Sequence, residues 1–161
     1  MLNVRKQMTH NIPVILTVIS LCLVACVPGH NDYSEFANIP SYGWDYRQPV
    51  EFTPIISDST ATGALTVALR HTNAYPYSNI WIELRHYDTD STVTHVDTLN
   101  IQMADIYGRW HGKGLGTSYQ ITDTLPSSIT ITKGSRIQVR HIMRPDTLPA
   151  IEQVGILFDG V

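Results

Sequence analysis

The sequence predicts an all-β protein, an antiparallel two-sheet β-sandwich of Ig-like or jelly-roll-like type, behind a cleaved lipoprotein signal peptide. The first observation is that apolar and polar residues alternate in short runs such as Leu65–Leu69, Ile80–Leu84 and Ile137–Val139. Such alternation places one side of each run in a core. The second observation is that no segment after residue 25 repeats apolar residues at helical period, so we expect about seven to nine short strands in one domain. A closed barrel is the alternative, because alternation alone does not distinguish the two folds.

Residues 1–25 have the features of a bacterial secretory leader. A basic start is followed by an apolar stretch from Ile12 to Val24, and small Ala25 precedes the expected cleavage point. Cys26 then becomes the first mature residue, which is typical of a lipoprotein, in which this thiol carries a diacylglycerol. Two or more acyl chains anchor a protein stably. We therefore predict a chain anchored to a membrane through Cys26 and facing an extracytoplasmic space.

The predicted domain boundaries follow from this leader. Residues 1–25 are the signal peptide, residues 26–32 are the lipidated cysteine and a polar tether, and residues 33–161 form a single β-sandwich domain. The leader holds two basic and no acidic residues, so its removal changes the net charge from −3 to −5 with histidine neutral. A mildly acidic chain has no electrostatic footprint for nucleic acid, and we expect none as a partner.

The glycine-rich segment 108–116 (GRWHGKGLG) invites comparison with a phosphate-binding loop. A P-loop has four residues between its glycines and a serine or threonine after its lysine, whereas here Gly114 follows Lys113. No helical pattern comes next, so no helix N-terminus would face an anion. We interpret the segment as a strand or bulge in which glycine permits positive φ or close packing.

The densest polar and aromatic stretch covers residues 70–79 (RHTNAYPYSN) and lies between two predicted strands, at one end of the sandwich. His71 is a candidate acid–base residue or metal ligand. No carboxylate or second histidine stands beside it by spacing, which favours a histidine that is hydrogen-bonded to the loop backbone. The histidines after the leader never occur as H-x-H or H-x-x-x-H, so we predict no metal site and no cofactor.

Three tryptophans, Trp44, Trp81 and Trp110, accompany eight tyrosines. Trp81 is out of phase with Ile80 and Ile82, which predicts that it faces the opposite side of its sheet. Exposed rings would suit a sugar-stacking platform, whereas tryptophans that cover a sheet face or an edge are the commoner arrangement.

Three motifs, in this order along the chain, are similar to the gliding motility lipoprotein family GldH. They are residues 33–44 (YSEFANIPSYGW), residues 69–81 (LRHTNAYPYSNIW), and a DTL at 97–99 that leads to residues 108–116. The resemblance covers about residues 33–158. It implies a cell-envelope lipoprotein of Bacteroidota that supports surface motility alongside secretion-linked envelope machinery. It brings no enzymatic activity, catalytic residue or cofactor with it.

We therefore predict a non-enzymatic structural or interaction protein that docks to other envelope proteins. Only one acid, Asp32, lies in residues 27–32, whereas surface-displayed lipoproteins of this phylum often carry an acidic run there. This favours a domain that faces the periplasm, and the family resemblance implies an outer-membrane anchor. The candidate interaction surface combines the 70–79 loop with its aromatic and basic neighbours: Arg70, His71, Asn73, Tyr75, Tyr77, Trp81, Trp110 and Lys113.

Two other functions remain open at this point. A glycan-binding module is the main alternative, and it requires two exposed, roughly coplanar rings among the tryptophans and nearby tyrosines. A hydrolase would need a concave pocket with a nucleophile or paired acids, for which the sequence has no motif.

Overall fold

The computed structural model describes residues 31–160, which form antiparallel β-sheets and contain no helix. Within this range there is accordingly no helix that could cross a membrane. The predicted signal peptide, the cleavage point and the lipidated Cys26 lie outside the described residues. The all-β class and the two-sheet sandwich are confirmed.

Twelve strands run through the described part of the chain, more than the seven to nine expected, because several are pieces of two or three residues. They are β1 (Tyr33–Asn38), β2 (Trp44–Asp45), β3 (Val50–Phe52), β4 (Thr60–Thr72), β5 (Asn79–Tyr87), β6 (Val93–Gln102), β7 (Lys113–Leu115), β8 (Ser118–Thr124), β9 (Ile129–Thr132), β10 (Arg136–His141), β11 (Thr147–Leu148) and β12 (Ile151–Gly160).

The first sheet has the strand order β1-β12-β4-β8-β7, and β4 is its central and longest strand. Its 13 residues cover about 40 Å at roughly 3.3 Å per residue. That length lets β4 pair with two partners on one side: residues 60–63 pair with β9 and residues 66–72 pair with β8. The sheet therefore has six strands.

The second sheet has the order β3-β10-β5-β6, and a small third sheet pairs β2 with β11. Alternation along β5 buries Ile80, Ile82 and Leu84 and leaves Trp81 42% exposed on the outer face, as its phase predicted. The inner faces of both large sheets supply one continuous apolar core. Its largest fully buried side chains are Trp44, Phe52, Phe158, Leu65, Leu69, Ile80, Ile82, Leu84, Ile101, Met103, Ile131 and Ile137.

The sandwich has two ends, which the strand pairing defines. The buried Asn31 lies at one of them, where its side chain bonds Asp58 and β1 begins opposite the last residues of β12. We call this the tether end, since Cys26 precedes it by five residues. We call the other end, where β4 finishes at Thr72 and β5 starts at Asn79, the far end.

Candidate interaction surface

His71 lies at the centre of an aromatic cluster at the far end. Its ring centroid is 4.7 Å from that of Trp110, 5.7 Å from that of Tyr119 and 5.8 Å from that of Tyr75. Tyr77 joins by an edge contact to Tyr75 at 5.6 Å. These five side chains, which we call the far-end cluster, close this end of the sandwich over the apolar core.

The strand register explains why these rings meet. Alternation along β4 continues past Leu69, so the next inward position belongs to His71, which is fully buried. In the pairing with β8, Tyr119 stands directly opposite His71. A bridge between Ala104 and Trp110 folds the segment after β6 back on itself and brings the indole onto this end.

The hydrogen bonding of His71 is to the main chain of the neighbouring residue. Its Nδ1 lies 2.9 Å from the carbonyl oxygen of Thr72, and because a carbonyl only accepts, Nδ1 carries the hydrogen. Its Nε2 is buried and has no partner among the described residues. Burial lowers the pKa of His71 and favours the neutral ring. A neutral imidazole bonded to backbone agrees with the interpretation drawn from the loop's spacing.

The glycine-rich segment packs closely against β8 at this end. Gly112 has φ +83°, and a Cβ built on it would overlap the carbonyl oxygen of Gln120. A Cβ on Gly114 would lie 2.7 Å from the ring of Tyr119. These positions therefore require glycine for backbone conformation and close approach, which fits the strand-or-bulge interpretation of the segment.

Arg70 and Lys113 lie apart from the far-end cluster, on the outer face of the first sheet. They line a groove of about 540 Å³ together with the polar side chains of Ser118, Gln120 and Thr122. An amide oxygen of Gln120 accepts a hydrogen bond from Arg70 Nη2 at 3.0 Å. Adjacent residues of a strand face opposite sides, so Arg70 and His71 belong to different surfaces despite their neighbouring positions in the sequence.

The predicted surface residues thus fall in three places rather than one. His71 and Tyr75 are buried and support the far end from beneath, Tyr77 and Trp110 are half-buried there, and Asn73 is exposed in its loop. The second place is the groove of Arg70 and Lys113. The third is Trp81 on the outer face of the second sheet, where the backbone N–H of this residue lies 3.3 Å from Met143 Sδ.

A turn after β6 carries apolar side chains that lie outside the predicted interaction surface. Asp105 Oδ1 accepts hydrogen bonds from the backbone N–H groups of Tyr107 and Arg109, at 2.8 and 2.9 Å. Ile106 and Tyr107 project from this turn and are 91% and 78% exposed. An aspartate three residues before Gly108 is a common turn pattern, and it was the available signal.

At the tether end, Asp97 joins two histidines across the face of β5 and β6. His86 Nε2 lies 2.9 Å from Asp97 Oδ2, and His95 Nε2 lies 3.1 Å from Asp97 Oδ1. Burial lowers the pKa of His86, against the opposing effect of the Asp97 charge. In the part of the chain that the structure describes, no group of three or more His, Cys, Asp or Glu is placed to hold a metal ion.

The fold and the site define a small β-sandwich protein whose aromatic side chains gather at one end. The sequence model of the GldH lipoprotein family matches residues 31–157, and the chain belongs to this family. It is therefore a lipid-anchored protein of the cell envelope. It is 33% identical over 100 residues to the gliding motility lipoprotein GldH of Flavobacterium johnsoniae. The matched stretch spans 62% of this chain and 61% of that relative, so it covers less than two thirds of the relative's length.

Solved structures resemble the chain only weakly. A CocE/NonD family hydrolase from Staphylococcus aureus is 11% identical with a TM-score of 0.40, over 84% of this chain and 34% of the hydrolase. Dimeric latent PorU from Porphyromonas gingivalis is 8% identical with a TM-score of 0.32, over 84% of this chain and 14% of PorU. TM-scores this low mean that neither protein informs the function of this chain.

Proposed function

We propose that this chain is a non-enzymatic structural component of a motility- or secretion-linked assembly in the cell envelope, and that its far end docks to other envelope proteins. Membership of the GldH family supports the link to motility. The observation that carries the docking role is the collection of aromatic side chains and rigid turns at the end of the sandwich opposite the tether. Such residues are enriched at the centres of protein interfaces.

The position of the lipid anchor supports this arrangement. Five residues from Cys26 to Asn31 reach at most about 18 Å even when fully extended. The tether end is therefore held near the membrane, while β4 carries the far end about 40 Å along the strand direction. A domain built this way presents its aromatic end to partners away from its own anchor. The single acid of the tether supports a domain that faces the periplasm, and membership of the GldH family supports an outer-membrane anchor.

The hydrogen bonding of the polar side chains also favours a docking role over catalysis. His71, a candidate acid–base residue by sequence, is enclosed by aromatic rings and bonded to backbone. The His86–Asp97–His95 group lies at the opposite end from the far-end cluster. We propose on this basis that the chain catalyses no reaction.

A glycan-binding module is the second candidate, and one observation favours it. Trp81 is exposed on the outer face of the second sheet, beside the bonded amides of Asn79 and Asn100. Of the other two indoles, Trp44 is 1% exposed and Trp110 is half-buried. A flat pair of exposed indoles, the usual sugar platform, is therefore not formed by the described residues.

Crosslinking in living cells tests the proposal. The tagged full-length chain would be mildly crosslinked and purified, and co-purifying proteins would be quantified by mass spectrometry. The test variant is Tyr77→Ala at the far end. Its matched control is Tyr87→Ala, which removes another half-buried tyrosine near the tether end.

We expect defined envelope proteins in near-stoichiometric amounts from the parent chain and from Y87A, with a clear loss from Y77A. Recovery of the chain alone would overturn the docking role and make a glycan array the next measurement. Equal recovery from both variants would show that the far end is not the contact surface. Protease treatment of intact cells checks the orientation, because removal of the domain would contradict a periplasmic location.

A further inference from the structure

The turn of residues 105–109 is held by a closed set of internal bonds. Besides the two N–H groups that bond its Oδ1, the Asp105 carboxylate accepts a hydrogen bond from Arg109 Nε at 2.7 Å through Oδ2. The main chain adds bonds from Asp105 N to Arg109 O at 2.9 Å and from Gly108 N to Asp105 O at 3.0 Å. Gly108 supplies the positive φ, +78°, that the turn requires. The polar groups of this turn are thus used to fix its shape.

The same turn leaves its two apolar side chains outside. Ile106 is the most exposed of the large apolar side chains in the described range, and Tyr107, the next residue in the sequence, is also highly exposed. The Arg109 guanidinium lies 5.6 Å from the centroid of the Tyr107 ring and limits the positions the ring can take. A solvent-exposed Ile–Tyr pair on a preformed turn loses little conformational freedom on binding, which favours affinity.

The turn is also fastened to the body of the far end. Trp110 follows it immediately and packs against His71 in the far-end cluster, and His111 N–H bonds the carbonyl oxygen of Met103 at 2.8 Å. Ile106 and Tyr107, which we call the knob, are therefore carried by a rigid base at the end remote from the tether.

The surroundings of the knob favour a protein pocket over a lipid surface. Arg109 is the one cation of residues 105–109, and Asp105 neutralises it. The knob therefore offers no net positive charge to anionic headgroups, which membrane-binding segments commonly provide. A tyrosine and an arginine on a fixed turn are instead the side chains most enriched among interface hot spots.

We infer that the knob, Ile106 and Tyr107, inserts into an apolar pocket of a partner protein and is the main anchor of the far-end contact. This inference rests on the docking role proposed above and names residues that lie outside the surface predicted from sequence. Arg109 and the far-end loop around Asn73 form the polar rim of the contact. Such an anchor places most of the binding energy in two adjacent side chains.

Site-specific photo-crosslinking of the full lipidated chain in cells tests the inference. A photoreactive phenylalanine derivative at position 107 reports directly on what the knob touches. The same derivative at position 55 is the control, because Ile55 is also highly exposed, at 80%, but follows β3 near the tether end. A discrete protein adduct from position 107 that is missing from position 55 is expected.

A second experiment measures how much the knob contributes. The photoreactive residue is placed at position 73 in the far-end loop, and the knob is made polar by I106S/Y107S. We expect the adduct from position 73 to fall about tenfold or more, as for an interface hot spot. The matched control I55S should leave it unchanged. Thermal unfolding of I106S/Y107S should match the parent chain, since neither side chain is part of the core.

The outcomes separate the knob from the docking role. A full-strength adduct from position 73 in I106S/Y107S would overturn the knob while leaving the docking role intact. A product at position 107 with the mass of a bound phospholipid, or a dimer of the chain itself, would also overturn it, in favour of a bilayer or a second copy. Absence of protein adducts from positions 73 and 107 alike would remove the docking role together with the knob.

Discussion

The imidazole of His71 and the indole of Trp110 meet edge to face, with ring centroids 4.7 Å apart and an interplanar angle of 65°. His71 belongs to β4, the central strand of the first sheet, and Trp110 ends the hairpin that carries the exposed turn. This contact links the exposed turn to the central strand of the first sheet. Disturbing either ring should therefore affect both stability and the position of the turn.

Replacement of Trp110 with alanine should destabilise the protein by about 2–3 kcal/mol. This is less than the roughly 3–5 kcal/mol typical of truncating a core tryptophan, since the indole is only half-buried. The matched variant W81A removes an exposed indole and should change the free energy of unfolding by less than about 1 kcal/mol. Urea unfolding of both variants measures the difference, and equal losses would mean that Trp110 does not fasten the hairpin.

Acidification should destabilise the protein through His71. Burial lowers the pKa of His71, so as the pH falls through the unfolded value of about 6.5 the unfolded chain takes up this proton first. The free energy of unfolding then decreases, by up to about 1.4 kcal/mol per pH unit for one proton.

The variant H71L should show a shallower pH dependence between pH 7.5 and pH 5. Some slope will remain, because burial also lowers the pKa of His86 and of His141. Denaturant unfolding at several pH values gives the slopes, whatever the absolute stability of the variant. Identical slopes for parent and H71L would show that His71 is protonated equally in both states.

Gly112 and Gly108 separate the effect of backbone conformation from that of crowding. Both have positive φ, +83° and +78°, but only a Cβ on Gly112 meets other atoms. We expect G108A to cost about 1–2 kcal/mol from the left-handed conformation alone. G112A should lower the free energy of unfolding by at least about 2 kcal/mol more, because the added Cβ would push the glycine-rich segment away from Gln120 of β8. Thermal unfolding compares the two, and similar melting temperatures would refute the close approach to Gln120.

Phe36 of β1 and Gly155 of β12 should be strongly coupled. The Phe36 ring lies over Gly155, and a Cβ there would come within 2.5 Å of it. We expect G155A and F36A each to destabilise the protein by about 1–2 kcal/mol, since both separate the ring from the strand. The double variant should be no less stable than F36A alone. A double-mutant cycle measures this, and additive losses would exclude the contact.

Local alternation predicts which face of its sheet each strand residue occupies. The phase of Trp81 against Ile80 and Ile82 predicted its outward orientation correctly. The same argument applied to β4 separates Arg70 from His71, yet the polar loop composition grouped both in one surface. His71 lies two residues after the inward-facing Leu69, so the two-residue period of the strand predicts that His71 is buried as well.

The pairing of strands that are distant in the sequence could not be predicted from one sequence. Tyr119 enters the far-end cluster only because β8 pairs with β4 in the register that sets it opposite His71. Lys113 and Trp81 lie on different sheets, which depends on strand order rather than on any local pattern. The Ile106–Tyr107 knob could not be predicted either, because two apolar residues in a turn indicate a site only when their exposure is known.

The first strand of the sandwich, which directly follows the tether, determines how the domain resists a pulling force. β1 runs from the tether end toward the far end and pairs with β12 over six residue pairs, and Asn31 just before it bonds Asp58 and the Ser57 N–H. A pull between the lipid and a partner held at the far end acts along β1, at right angles to its antiparallel hydrogen bonds. All of those bonds then resist shear together instead of opening one at a time, so β1 should hold the domain on its tether more firmly than a strand that is peeled from one end.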